Sequence, residues 1–117
     1  MKVNKPWEFE DNQHITVGGR RYNVHAAIML SSKIKPADVP IKYIDRAEMW
    51  ISDGRFSDFV EHVKAVMDAD LSFPIVMSDQ GTIIDGRHRL AKAILDGAET
   101  ISCVQFEIDP VACYEKV

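Results

Sequence analysis

The run Thr82-Ile83-Ile84-Asp85-Gly86-Arg87-His88-Arg89-Leu90-Ala91-Lys92-Ala93-Ile94-Leu95-Asp96-Gly97 changes its period part-way. Thr82 to Ile84 reads as an apolar strand and Asp85-Gly86 as a turn. The residues after it read as an amphipathic helix that stops at Gly97, a residue suited to the left-handed conformation past a helix end. A strand that turns through glycine into a helix aims several backbone N–H groups at one spot, because the first helical turn has no intrahelical acceptors for them. The helix dipole adds partial positive charge there, worth ~0.3–1 kcal/mol for an anion and up to ~2 kcal/mol when partly buried. Arg87 and Arg89 bring permanent cations with forked donors, and His88 a donor that neutral pH leaves uncharged. Gly86, lacking a side chain, lets a phosphate reach the amides. Gly86, Arg87, His88 and Arg89 are therefore candidate phosphate ligands.

A structural reading competes with this one. Arg87, Leu90, Ala91 and Ile94 share the spacing of one packed helix face, so Arg87 could cap that face and pair with a carboxylate. Two arginines in a first turn oppose the dipole, however, and stability alone would select Asp or Glu there. Asp85 has three candidate roles: accepting a helix N–H, holding an arginine, or binding Mg²⁺ carried by a nucleotide. Capping is the expected one. As a candidate catalytic pair, Asp85 and His88 would serve as acid, base or metal ligand.

N-terminal to this run, Phe73-Pro74 opens a strand over 75–77, followed by a turn from Ser78 to Gly81. Phe59, Val60, Val63, Val66 and Met67 form an apolar stripe at helical spacing, with Ser57 as its expected N-cap, and predict a core-packed helix over 58–67. His62 lies off the stripe, placed either to reach the phosphate turn or to face solvent. Trp50 is a candidate flat face for a base or ribose, or a core residue. Asp45, Glu48 and Asp53 lie in an irregular segment of the kind that delivers metal-binding carboxylates, although no spacing ties them to the turn.

Ile41 to Ile44 predicts a strand after Pro36 and Pro40. His14 to Val17, Gly18-Gly19 and Arg20 to Asn23 predict a tight hairpin with Arg20 and Arg21 on a solvated edge. Asn23 is a natural N-cap for a short helix over 24–30. Residues 1–13, with Trp7 and Phe9, read as an irregular arm, 14–110 as one domain, and 111–117 as a tail after a final strand over 101–108. The expected architecture is α/β or, more strictly, α+β: a small mixed sheet with about three packed helices, and Val76, Ile84 and Val104 in its core.

Composition narrows the function classes. The 117 residues suit one domain, and no apolar run or signal-like N-terminus is present, so the expected location is cytoplasmic, without membrane association. Cys103 and Cys113 read as reduced thiols rather than a metal or disulfide pair. Residues 85–92 carry +2 on a chain of net charge −4, leaving −6 elsewhere. A local positive site on an acidic body favours a small anion and disfavours tracking along a nucleic-acid backbone.

The order of strand, turn, basic helix and strand, with Ile83-Ile84-Asp85-Gly86-Arg87-His88-Arg89 at its centre, resembles the ParB N-terminal/sulfiredoxin-like superfamily. The match runs from Phe73 to Phe106 and more weakly over residues 34–70. In ParB proteins the equivalent turn is Gly-Glu-Arg-Arg, and in sulfiredoxins Gly-Cys-His-Arg. The resemblance implies a small ParB-like domain that binds a nucleoside triphosphate (CTP or ATP) with Mg²⁺. It extends to NTPase or phosphotransferase turnover, to ParB-like nuclease activity and to DNA binding. Arg87 stands where sulfiredoxin has its nucleophilic cysteine, which removes that chemistry. The helix-turn-helix that reads DNA in ParB proteins is not expected after Val117. The alternative is a non-enzymatic accessory module, of phage or plasmid type, that grips a protein partner or nucleic acid; a homodimer is compatible with either reading.

Overall fold

The computed structural model describes residues 13–44 and 55–117. The described residues form an α+β fold of two small sheets and three helices. Trp7, Phe9, Asp45, Glu48, Trp50 and Asp53 lie outside the described residues.

The first hairpin forms as its Gly-Gly turn dictates. Strands β1 (His14–Val17) and β2 (Arg20–Asn23) pair antiparallel around Gly18 and Gly19, whose φ values are +60° and +78°. Asn23 caps helix α1 (Val24–Leu30), its side chain accepting from the Ala26 amide at 2.9 Å.

The second sheet has the order β3-β6-β4-β5, with β3 at Ala37–Pro40, β4 at Ile75–Met77, β5 at Ile83–Asp85 and β6 at Thr100–Gln105. β4 runs parallel to β6 and antiparallel to β5, and helix α3 (Arg87–Leu95) makes the connection that parallel pairing requires. Successive residues of these strands serve opposite faces. Val76, Ile84 and Val104 pack with Val17, Tyr22 and Ala27 on one side. Ile75, Met77, Ile83 and Cys103 pack with Leu90 and Ala93 of α3 on the other. The sheet is thus covered on both faces, which is why its strands read as continuous apolar runs. The three residues expected in the core are all there.

α3 ends as its sequence announces. Gly97 adopts φ +76°, its amide bonds Ile94 O, and the Ala98 amide reaches back to Ala93 O, both at 3.0 Å. Helix α2 (Phe56–Asp68) lies against it, and Lys92 Nζ donates to the carbonyls of Met67 (3.2 Å) and Ala69 (2.9 Å), closing the C-terminus of α2.

Five local expectations are corrected. The strand expected over Ile41–Ile44 is a 3₁₀ turn at Ile41–Tyr43, and the strand is β3 just before it. Ile41 and Ile44 are both buried because three-residue spacing puts them on one side of that turn. Pro40 is tolerated in β3 because β3 is an edge strand. Helix α2 starts after Arg55, without a side-chain cap, so Ser57 lies inside its first turn rather than capping it. The apolar stripe of α2 is not core: no residue of α2 is buried, and Phe59 and Met67 are 52% and 69% exposed. The final strand stops at Gln105, and the expected tail contains a strand, β7 (Tyr114–Lys116), paired antiparallel with β2.

The fifth correction concerns Arg20, expected at a solvated edge. Its Nη1 reaches Asp109 Oδ2 at 2.6 Å and Asp79 Oδ1 at 3.1 Å, and its guanidinium lies 4.7 Å from the Tyr114 ring. Asp109 is fully buried and also accepts from the Tyr22 hydroxyl at 2.5 Å. Asp79 and Asp109 each accept the other's backbone amide at 2.8 Å. This knot ties the first sheet to the loops after β4 and β6. Burial and the hydrogen bond to Asp109 push the Tyr22 hydroxyl up to about 12. Arg21 is exposed as expected, beside Glu115, but β2 is the central strand of its sheet and not an edge.

Candidate phosphate-binding turn

β5 delivers the chain to the turn and Gly86 redirects it. Gly86 is the N-cap of α3, at φ +115° and ψ 18°, with no side-chain cap hydrogen bond. A Cβ at this position would lie 2.5 Å from Ile75 Cγ2 and 2.8 Å from Ile75 Cβ, so both conformation and space demand glycine. The helical ladder begins at once, with the Leu90 amide on Gly86 O at 2.9 Å.

The residues around Gly86 divide between two cavities. Arg87 and His88 line a cleft of about 260 Å³ with Gln13, His14, Asp85 and Gly86. Arg89 turns instead toward the strand it follows. Its Nη2 donates to Asp85 Oδ2 at 2.7 Å and to Pro74 O at 3.3 Å, and with Asp85 it lines a different pocket. Asp85 therefore does not cap the helix; of its three candidate roles it holds an arginine. The geometric reason is that Gly86 enters the helix from the left-handed region, leaving the side chain before it one turn below Arg89, at i and i+4.

His62 of α2 does reach the turn. Its Nδ1 stands 2.9 Å from His88 Nε2, and the two rings meet edge to edge, with centroids 5.2 Å apart and planes within 21° of each other. Burial lowers the His88 pKa, the charges of His62 and Arg89 lower it further, and Asp85 opposes them. His88 is held toward its neutral form, able to donate at one nitrogen and accept at the other.

Among the candidate site residues, Asp85, Gly86, Arg87 and His88 thus line one cleft, while Arg89, paired with Asp85, faces the other pocket. Asp85, the candidate metal ligand, has one oxygen occupied by Arg89, and no group of three or more His, Cys, Asp or Glu side chains fit for a metal occurs among the described residues. Sequence reasoning missed Gln13 and His14, which reach the cleft through β1 and a bond from the Val24 amide to Gln13 O. Nothing local to 13–14 signals this, since their closeness to residue 86 depends on the two sheets packing together. Cys103 and Cys113 are both free and buried, with burial pushing each thiol up to about 11. Among the described residues no helix is long and apolar enough to cross a membrane.

Comparison of the chain with protein-family models, with curated proteins and with solved structures gave no match.

Proposed function

We propose that the chain is a stand-alone ParB/sulfiredoxin-like domain that binds a nucleotide through its phosphates at the start of α3. The observation that carries this reading is Gly86. It opens the helix from φ +115° with no side-chain cap, into a cleft that also holds Arg87 and His88. The first-turn amides and the dipole attract the phosphate oxygens, and Arg87 neutralises their charge. Arg89 and Asp85 act on the turn itself, as an ion pair that fixes its shape. Asp85, which lines the cleft, is the residue that would hold a Mg²⁺ ion carried by the nucleotide.

If turnover follows binding, His88 is its base or acid. A neutral imidazole close to the phosphate cleft, in contact with a second imidazole, has a route for the proton it takes up. This supports NTPase or phosphotransferase chemistry in the cytoplasm, where nucleotides are plentiful and thiols such as Cys103 and Cys113 stay reduced. Hydrolysis of nucleic acid at the same turn is the nuclease form of this reading.

The test is thermal melting with millimolar CTP, ATP and pyrophosphate, each with and without Mg²⁺. A ligand at about 100 times its Kd adds ~2.7 kcal/mol of stability. A specific observation favours a second reading, a non-enzymatic module that docks on a protein. Phe56, Phe59, Val60, Val63 and Met67 line one face of α2 and all are exposed. Absence of any ligand shift would transfer the assignment to that module.

A further inference from the structure

A pocket of about 440 Å³ lies between the C-terminal end of α1 and the four-stranded sheet. Its size is that of small-molecule sites, about 300–1,000 Å³. Ile28, Ile34, Pro36, Phe73, Val76 and Val104 give it apolar walls, and Arg89 and Asp85 supply its charged groups. It shares only Asp85 with the phosphate cleft.

The two charged groups are paired but not exhausted. Arg89 Nη2 bonds Asp85 Oδ2 and Pro74 O. Arg89 Nε is buried without a partner, the one such side-chain nitrogen or oxygen among the described residues. Burying a donor unpaired is unfavourable, and chains rarely leave one so. Nε–H has almost no exposed surface, so a pocket ligand that accepts from it, and relieves it, does so by turning the Arg89 side chain toward the pocket. The ion pair is neutral as a whole, which selects against a charged ligand. It also sets a donor next to a carboxylate acceptor, and the complement of donor beside acceptor is an amide edge, whose C=O accepts and whose N–H donates.

We infer that this pocket is a binding site for a small, uncharged, mainly apolar molecule bearing a carboxamide or cyclic-amide edge, held between the apolar walls and the Arg89–Asp85 pair. The inference does not rest on the phosphate reading, which concerns the other cleft.

The experiment is an NMR titration of the isotopically labelled protein with benzamide, with N,N-dimethylbenzamide as the analogue that lacks N–H donors. Benzamide is expected to move the Arg89 Nε–H signal and the methyl signals of Val76 and Val104 together, in a saturable way. N,N-dimethylbenzamide is expected to bind about tenfold more weakly. Ser32→Trp, at an exposed position on the pocket wall, is expected to keep the folded spectrum and abolish both responses. No saturable change at these three residues, equal binding of the two amides, or binding unaffected by Ser32→Trp overturns the proposal. A pyrophosphate titration of the same sample reads the signals of residues 86–88, so failure of one site is distinguishable from failure of the other.

Discussion

His62 and His88, from different helices, meet nitrogen to nitrogen at 2.9 Å with their ring planes within 21° of each other. Such a contact requires one ring to donate and the other to accept, so the pair cannot carry its full complement of protons and keep it. It joins α2 to the turn that opens α3.

His88 makes stability depend on pH. The folded pKa of His88 lies below the ordinary value of 6.5, so in acid the unfolded chain binds a proton more readily than the folded one. The contribution is therefore complete above pH 6.5 and is lost as pH falls through the folded value. Urea unfolding at pH 5.5 and 7.5 should show a lower midpoint in acid. His88→Gln should reduce that difference, and an unchanged difference would clear His88 of the effect.

Two glycine substitutions separate space from conformation. Gly86→Ala meets both a left-handed φ and the Ile75 side chain, and should lose about 2–5 kcal/mol. Gly97→Ala has φ +76° but nothing within 4 Å, and should lose only about 1–2 kcal/mol. Chemical denaturation of the two variants checks the ranking; equal losses would mean that the Ile75 contact yields.

Arg87 and Arg89 should behave differently. Arg89→Ala removes the partner of the half-buried Asp85 carboxylate and should destabilise the ligand-free protein by about 1–3 kcal/mol. Arg87→Ala should change the ligand-free midpoint less and remove most of the stabilisation by pyrophosphate. The reverse pattern in thermal melts would show Arg87 to be the structural arginine.

The Tyr22–Asp109 contact predicts a late titration. Tyr22 should ionise near pH 12 while the chain stays folded, and alkaline difference spectroscopy reads that step. Because its folded pKa is raised, the stability it contributes is complete below pH 10 and falls as pH rises toward 12. Tyr22→Phe leaves Asp109 with one donor fewer and should cost about 1–3 kcal/mol. An unaltered titration curve in Tyr22→Phe would refute the assignment.

What could be read from the sequence was local. The Gly-Gly hairpin, the Asn23 cap, the Gly97 stop and the glycine-entered helix α3 are each specified within a few residues, and each formed as read. The features missed depend on distant parts of the chain. Apolar residues at 41 and 44 suit a strand or a 3₁₀ turn equally, and only the pairing of β3 with β6 decides between them. Tyr114 to Lys116 carries too little apolar pattern to announce a strand, which the register with β2 imposes. Arg20 resembles any edge arginine until Asp109, 89 residues away, is placed beside it. In the candidate site, Gly86, Arg87 and His88 were legible because the turn is continuous in sequence. That Arg89 folds back onto Asp85, and that His62 arrives from α2, follows from packing. The stripe on α2 carries the spacing of a buried face, yet it is exposed, because spacing reports a helix and not what covers it.

The central claim is that phosphate oxygens dock on the first turn of α3. An amide ¹H–¹⁵N titration with pyrophosphate reads that contact residue by residue. The account predicts saturable downfield shifts largest at the amides of Gly86, Arg87 and His88, and their loss in Arg87→Ala. A spectrum unmoved at those residues, or moved equally over the whole surface, would contradict it.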